Sequence, residues 1–212
     1  FGVMDLSATA APFGSRFIWL FLGGFVLALA LERHGLHRRF ALHLLHRLGG
    51  GPRRTLFGFM LATALLSMWI SNTSTTLMLL PVALAALEKT DDMNLSGPLL
   101  LGIAYAASIG GIGTPIGTPP NMVFMGVYTE VTGGAVSFGQ WMLWAIPVVL
   151  ILLPIAGLWI TRGVSKSGGV VLPEAEAWST AERRVLVIFS ITALLWMTRK
   201  GPWGGWSEWL SL

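Results

Sequence analysis

Two short clusters of small and polar residues interrupt long apolar stretches of this sequence, and both could bind ions without a charged side chain. The first lies in the middle of the uncharged run 55–87 and is Ser71-Asn72-Thr73-Ser74-Thr75-Thr76. The second lies within the uncharged run 93–129 and is the segment 110–120, rich in glycine and proline. Hydroxyl and amide side chains compete with the backbone for hydrogen bonds, and proline cannot donate one, so we predict a helix break in each cluster.

A helix that restarts after each break would point its N-terminus at that break. Asn72 or Thr73 is the predicted N-cap of the helix that continues to residue 87. Thr118 precedes Pro119, and proline is favoured at the first position of a helix. Each helix N-terminus carries unpaired N–H groups and a partial positive charge. Two of them facing one cavity would bind an anion, although neither run contains Lys or Arg.

The helices that end at the breaks present carbonyl groups of the opposite partial charge, which suit a small cation. Ser67 lies one helical turn before Ser71, so the two hydroxyl groups can face the same way. With Asn72 and a backbone carbonyl near Gly117, they form a cluster of oxygen atoms. Oxygen ligands without a carboxylate suit a weakly bound Na⁺ better than a transition metal. We therefore predict an anion beside Na⁺, each lowering the desolvation cost of the other.

The elements that would hold these clusters are membrane helices. Of the 212 residues, 54% are hydrophobic and only 11% are charged, whereas about 25% of a soluble domain is charged. A third uncharged run covers residues 131–161, and a bilayer span needs about 20 apolar residues. These features exclude a soluble enzyme and a nucleic-acid binder. The absence of cysteine excludes disulfides and thiolate metal sites.

The run 55–87 is too long for one straight span, so it either crosses the membrane once or forms a hairpin. Arginine and apolar residues alternate with helical spacing over residues 32–54, which predicts an amphipathic helix at the cytoplasmic interface. A hairpin returns residues 88–94 to that side and keeps four later basic residues inside. These are Arg162, Lys166, Arg183 and Arg184. A single crossing would put them outside, so we predict a re-entrant hairpin.

The run 93–129 is also too long for one straight helix. Non-helical backbone within a bilayer is tolerated only where protein or a wet cavity covers it. We predict a discontinuous helix over residues 96–130, a device that places binding sites near the midplane of transporters. The residues expected to form its break are Gly113, Pro115, Pro119, Pro120 and Asn121. The predicted fold is an all-α polytopic membrane protein with a re-entrant helical hairpin and a discontinuous transmembrane helix.

Residues 67–75 and 108–121 resemble the signature segments of the divalent anion/sodium symporters, which transport dicarboxylates such as succinate and malate. The first contains Ser-Asn-Thr at the hairpin tip, and about 45 residues later the second contains Gly-Thr-Pro-Pro-Asn in the broken helix. The resemblance extends in order and spacing over residues 17–198. It implies that the substrate is bound by Ser71, Asn72, Thr73 and Thr118. It also implies that Na⁺, a co-transported ion, is bound by Ser67, Ser71, Asn72 and Gly117.

Members of that family contain two inverted repeats, each with one Ser-Asn-Thr tip and one Thr-Pro-Pro break, and this chain has one of each. The resemblance therefore implies an N-terminal half with three parts. Residues 1–54 would hold a scaffold span and the basic interfacial helix, and residues 55–130 half of a transport domain. Residues 131–212 would hold a further span, a cytoplasmic connector over 163–181 and the start of the next span. At full length it implies a multi-pass homodimer in the plasma membrane, which is the inner membrane of a Gram-negative cell.

The expected function is sodium-coupled symport of a small divalent anion, most simply a C4 dicarboxylate, in contact with membrane lipid and without an organic cofactor. A sodium-independent dicarboxylate exchanger or a sulfate carrier would keep the same anion site. A non-transporting membrane assembly subunit is the alternative from another class, because half of the family pattern is missing. The hydroxyl-rich run could also serve only as packing between helices.

Two further groups of residues are expected to face the membrane surface rather than bind a metal or substrate. The four histidines share the basic interfacial segment and are His34, His37, His43 and His46. The tail is rich in tryptophan, which is typical of an interfacial aromatic belt, at Trp203, Trp206 and Trp209.

Overall fold

The computed structural model describes residues 5–48, 50–88, 90, 94–165, 178–200 and 205–210. Every regular element within these ranges is helical, which confirms the all-α prediction. The helices are α1 (Leu6–Ala10), α2 (Arg16–Arg33), α3 (Leu36–Leu48), α4 (Pro52–Ser67), α5 (Asn72–Leu87), α6 (Ser96–Gly111), α7 (Pro119–Thr132), α8 (Phe138–Ile160), α9 (Thr180–Thr198) and α10 (Trp206–Trp209), with 3₁₀ turns at Ala11–Gly14 and Thr161–Gly163.

Helices α2 and α3 meet at a bend of 68°. Gly35 lies at the bend with a φ of +67°, which a residue without a side chain adopts readily. The prediction of one amphipathic helix over residues 32–54 is therefore wrong at both ends. α2 continues to Arg33, and Pro52 already occupies the first turn of α4. The amphipathic segment is α3, which buries Leu42 and Leu45.

The hairpin prediction agrees with the structure. Helices α4 and α5 contain 16 residues each and are separated by residues 68–71. At the end away from this break, both helices join one apolar cluster. Leu56 from the start of α4 and Ala86 from the end of α5 lie in it with Leu45 and Leu95. Because the chain arrives and leaves at the same cluster, α4 and α5 form a re-entrant hairpin.

The discontinuous helix is also present. α6 ends at Gly111 and α7 begins at Pro119, with residues 112–118 between them. Thr118 has extended backbone, with φ −149° and ψ 143°, and Pro119 takes the first helical position as predicted. Gly133 terminates α7 in the left-handed conformation, with a φ of +69°.

The closest approach between helices joins α4 to α6. A methyl group added at Gly102 would come within 3.1 Å of the Met60 side chain, and one added at Gly110 would overlap the backbone of Ala64. These contacts advance in the same direction along both helices, so α4 and α6 run parallel and end side by side. Their ends are the two predicted breaks. The packing of α4 on α6 therefore brings both breaks into one region of the fold.

Contacts at the two ends of the helical bundle group the loops as the charge pattern predicts. At one end, the Arg39 guanidinium of α3 pairs with Glu182 at 2.7 Å. At the other end, Arg16, Arg199 and residues 135–138 line one cavity. The interfacial helix α3 thus shares a face with the segment expected inside. The start of α2 shares the opposite face with residues 130–137, a loop without Lys or Arg that the charge pattern places outside together with Arg199 and Lys200. Which of the two faces is cytoplasmic stays a prediction.

By length and composition, one described helical segment could cross a membrane by itself, namely Phe138–Gly163. A second span is counted if the bent α2–α3 pair forms one. Helices α5 and α6 are apolar but shorter, as expected of half-helices that stop at a break. Lys166 and Trp203, whose positions relative to the membrane were predicted, lie outside the described residues, as do residues 166–177 of the expected connector.

Candidate ion-binding site

The first break is organised by the capping of α5. Ser71 is the N-cap, and its Oγ accepts a hydrogen bond from the Ser74 N–H at 3.2 Å. The predicted cap, Asn72 or Thr73, is therefore wrong. Neighbouring residues have similar capping tendencies, and the backbone angles decide which of them caps. The Ser71 hydroxyl accepts in this bond, so its proton remains available to an anion.

Ser67 and Asn72 form a buried pair across the first break. Ser67 is fully buried, and its Oγ lies 2.7 Å from both Asn72 Oδ1 and the Ala107 carbonyl of α6. A hydroxyl can donate to only one of these oxygens at a time, so the three oxygens together can accept a cation. If the Asn72 amide turns over, its Nδ2 donates to Ser67 instead. The cluster can therefore hold a cation in one orientation of the Asn72 amide and satisfy its own hydrogen bonds without a cation in the other.

The carbonyl ends of α4 and α6 meet at Gly117. A methyl group at this position would lie 2.5 Å from the Gly111 carbonyl oxygen and 3.0 Å from the Ser67 carbonyl oxygen. Only glycine allows so close an approach of three backbone segments. The C-terminal residues of both half-helices therefore direct negative partial charge to one point. The predicted sodium ligands Ser67, Asn72 and Gly117 are brought together here.

The second break is held by two polar side chains. Thr114 is fully buried, and its hydroxyl donates to the Met68 carbonyl at 2.5 Å and accepts from the Gly117 N–H at 3.2 Å. Asn121 uses its Nδ2 to donate to the Gly111 and Thr114 carbonyls, both at 2.8 Å. These bonds tie the first turn of α7 to the end of α6 and tie the second break to the first.

Sequence reasoning undervalued these two residues. The sequence by itself indicates only a capping or packing role for Thr114, as it does for Thr75 and Thr76, and only a helix break at Asn121. In the structure, Thr114 and Asn121 together fix the backbone around Gly117. An amide two residues after a threonine-proline pair in an apolar run is a usable sequence signal, because such a side chain must find hydrogen-bond partners once it is buried.

The first turns of α5 and α7 both contact Gly111. A methyl group at Gly111 would overlap the Asn72 side chain of α5, while Asn121 of α7 donates to the Gly111 carbonyl at 2.8 Å. The two helix N-termini therefore converge, as the anion-site prediction requires. Thr73 is exposed and Thr118 half-buried at these N-termini. Both are open to a ligand, and neither is in the Ser67–Asn72 cluster.

The other residues predicted to break the helix differ in burial. Gly113 packs against Met68, so closely that a methyl group on Gly113 would displace the methionine side chain. Pro115 is buried within the second break, whereas Pro119 and Pro120 are exposed at the start of α7. The break thus has a buried half and an accessible half.

The histidines of the basic segment do not assemble into a metal site. Among the described residues, no group of three or more His, Asp or Glu side chains could hold a metal ion. His34, His43 and His46 are exposed, whereas His37 is half-buried beside the Leu31 carbonyl, 3.4 Å from its Nδ1. Burial lowers the pKa of His37 below the ordinary histidine value.

Helix ends that meet inside an apolar, all-α protein are typical of the class of membrane transport proteins with discontinuous helices. The chain belongs to the citrate transporter family, because the model of that family matches residues 1–206. This family consists of transporters and not enzymes, which agrees with the resemblance derived from the two motifs.

The names of individual relatives are more specific than the name of the family. The chain is 35% identical to the sodium-dependent dicarboxylate transporter SdcS of Staphylococcus saprophyticus, over 93% of this chain and 42% of the relative. It is 36% identical to the protein of the same name from Staphylococcus aureus strain NCTC 8325, with the same coverage of both chains. The chain therefore spans about two fifths of the length of these relatives.

Proposed function

We propose that the complete protein couples Na⁺ entry to the uptake of a small divalent anion, most directly a C4 dicarboxylate such as succinate or malate. The observation that carries the proposal is the convergence of two helix C-termini and two helix N-termini around Gly111 and Gly117. Opposite partial charges at one place suit a cation and an anion bound together. The printed names of the relatives, which include both sodium and dicarboxylate, support this choice of ions.

The side chains divide between the two ions. Na⁺ is bound by the hydroxyls of Ser67 and Ser71, by Asn72 Oδ1 and by the carbonyl of Gly117. A substrate carboxylate accepts hydrogen bonds from Ser71, Asn72 and Thr73, and Thr118 lines the same site from the second break. Asn72 takes part in both, because an amide has an oxygen that binds cations and an N–H₂ that donates to anions.

This double role gives a physical basis for coupling. Na⁺ on Oδ1 selects one of the two amide orientations of Asn72, and in that orientation Nδ2 is directed away from the ion. The bound cation also lowers the cost of desolvating a dianion next to it. Na⁺ therefore raises the affinity for the dicarboxylate, and the dicarboxylate must raise the affinity for Na⁺ by the same factor.

A second half with its own tip and break would complete the site in the full-length protein. We infer that this protein is a multi-pass homodimer of the plasma membrane. Citrate is a second candidate substrate, because the matching family model is described as a citrate transporter. A panel of succinate, malate, citrate and sulfate at fixed Na⁺ separates these anions. Succinate is expected to compete best for uptake.

The test is uptake of labelled succinate by the full-length protein in proteoliposomes, with Na⁺ or K⁺ outside. Ser67→Ala removes one proposed Na⁺ ligand and should raise the Na⁺ concentration for half-maximal uptake about tenfold, the equivalent of about 1.4 kcal/mol. Asn72→Ala should remove uptake. Thr63→Val is the matched control, because the Thr63 hydroxyl lies one turn before Ser67 and bonds the Phe59 carbonyl of its own helix at 2.6 Å.

Two outcomes would contradict the proposal. Uptake by the unmutated protein that is equal in Na⁺ and K⁺ would indicate an exchanger or a sodium-independent carrier. If uptake still depends on Na⁺ in both Ser67→Ala and Asn72→Ala, the proposed function stands but Na⁺ binds at a site other than the one proposed.

A further inference from the structure

A cavity of about 650 Å³ opens at the end of the bundle opposite α3, and three cationic side chains line it. Arg16 comes from the start of α2, and Arg199 and Lys200 follow the end of α9. No carboxylate lines this cavity, and in the described part of the chain none pairs with these three side chains. The sequence pattern places this end outside, where basic residues are disfavoured, so their presence there needs a cause.

Helix electrostatics does not explain all three cations. Arg199 and Lys200 lie at a helix C-terminus, where positive charge is favourable, but Arg16 lies in the first turn of α2, where it is unfavourable. That first turn contains no acidic residue to compensate. The Arg16 guanidinium instead lies 5.0 Å from the centre of the Phe17 ring, at the cavity wall. An anion in the cavity would compensate all three charges.

The position of the α9 cations is fixed by the chain that follows them. Ser207 donates to the Arg199 carbonyl through its hydroxyl at 2.7 Å and its N–H at 3.3 Å. Trp206 Nε1 donates to the Leu195 carbonyl at 2.9 Å. The short helix α10 is thereby folded back against the end of α9. It holds the backbone of Arg199 beside the cavity.

Apart from Ser137, the rest of the cavity wall is apolar and aromatic. It includes Phe17, Trp19, Leu20 and Trp196, and Trp19 is 63% exposed. The exposed apolar side of α2 continues from this wall through Leu22, Phe25 and Leu29. A soluble dicarboxylate would gain nothing from contact with such an apolar surface, whereas an acyl chain would pack against it. The cavity thus combines a cationic end with an apolar surface that continues along α2.

We propose that this cavity binds the head group of an anionic phospholipid, with its phosphate between Arg16 and the Arg199–Lys200 pair and an acyl chain along the exposed side of α2. Basic pockets between membrane helices bind acidic head groups in this way. The site is separate from the two breaks and does not depend on the transport function proposed above.

The experiment measures lipid binding to the full-length protein in detergent, without Na⁺ or substrate. Native mass spectrometry follows the titration with phosphatidylglycerol and, separately, with phosphatidylcholine. Arg199→Gln with Lys200→Gln should weaken binding of phosphatidylglycerol about twenty-five-fold, which is about fivefold for each cation lost. Arg16→Gln alone should weaken it about fivefold. Binding of phosphatidylcholine should not change.

The matched control uses the other end of the same helix. Arg183→Gln with Arg184→Gln removes two adjacent, exposed cations of α9 and should leave phosphatidylglycerol binding unchanged. Equal weakening by both pairs, or no preference of the unmutated protein for phosphatidylglycerol, would overturn the proposal. Displacement of the lipid by millimolar succinate or inorganic phosphate would also overturn it and assign the cavity to a soluble anion.

Discussion

The two breaks differ in what they offer to a ligand. The first presents side chains, because Ser71 caps α5 and Asn72 reaches across to Ser67 at 2.7 Å. The second presents backbone, because Thr114 and Asn121 use their side chains to hold the segment around Gly117. Residues at the first break are thus expected to determine which ions bind. Residues at the second break are expected to determine whether the backbone stays in place to receive them.

The largest combined effect on folding and uptake is expected from Gly117→Ala, because the added methyl group would disturb both breaks at once. Its methyl group would lie 2.5 Å from the Gly111 carbonyl oxygen, and a backbone atom cannot move aside as a flexible side chain can. Succinate uptake per folded protein should fall about a hundredfold or more. Gly126→Ala is the control, because its methyl group would make an ordinary contact with Phe17 at 3.9 Å. Uptake within a factor of two of the unmutated protein would refute the close approach at Gly117.

Substitutions at Ser71 separate capping from anion binding. Ser71→Ala removes the bond to the Ser74 N–H and should cost about 1 kcal/mol of stability as well as weakening uptake. Ser71→Asp can restore the cap, so the melting temperature should recover in thermal unfolding. Uptake should nevertheless be absent, since the added carboxylate repels a dianion. If Ser71→Asp transports succinate, the first break does not receive the anion.

Asn121→Ala should show the opposite pattern to Asn72→Ala. It removes the Asn121 donor from the buried Gly111 and Thr114 carbonyls, of which Thr114 keeps the Gly117 N–H at 3.3 Å, and this costs about 1–3 kcal/mol. The melting temperature should drop by several degrees, with a smaller loss of uptake than Asn72→Ala causes. A large loss of uptake at an unchanged melting temperature would place Asn121 among the ligands.

The smallest effect on transport is expected at a contact remote from both breaks. The Arg39 guanidinium, 2.7 Å away, and the Ser179 N–H lower the pKa of Glu182 to about 2. Because the pKa of Glu182 is lower in the folded protein than its ordinary value of 4.5, the ionised carboxylate stabilises the fold at pH values above 4.5. This stabilisation is lost as the pH falls from 4.5 toward 2. Glu182→Gln should make the melting temperature less dependent on pH between about 4.5 and 2, and it should leave uptake at pH 7 unchanged. Glu130→Gln is the control, because Glu130 is exposed, and it should leave the dependence of the melting temperature on pH unchanged.

Much of this organisation can be predicted from the sequence. Apolar runs too long for one span, each with a polar or glycine-rich centre, predicted the break between α4 and α5 and the break between α6 and α7. The choice of Ser71 as the cap could not be predicted, because several adjacent residues can cap and only the backbone angles distinguish them. The roles of Thr114 and Asn121 depend on α4 and α6 being parallel, which is a tertiary property. The bend at Gly35 was missed because helical periodicity continues through it.

The side chains gathered at the two breaks are hydroxyls and amides, and none of them gains or loses a proton between pH 4 and pH 9. The protein's part of the site therefore keeps one charge state over this whole range. A change in uptake with pH would report the ionisation of the substrate itself. For a dicarboxylate, the rate should follow the fraction of the fully ionised form, and Ser67→Ala should lower the pH–rate curve without moving its midpoint.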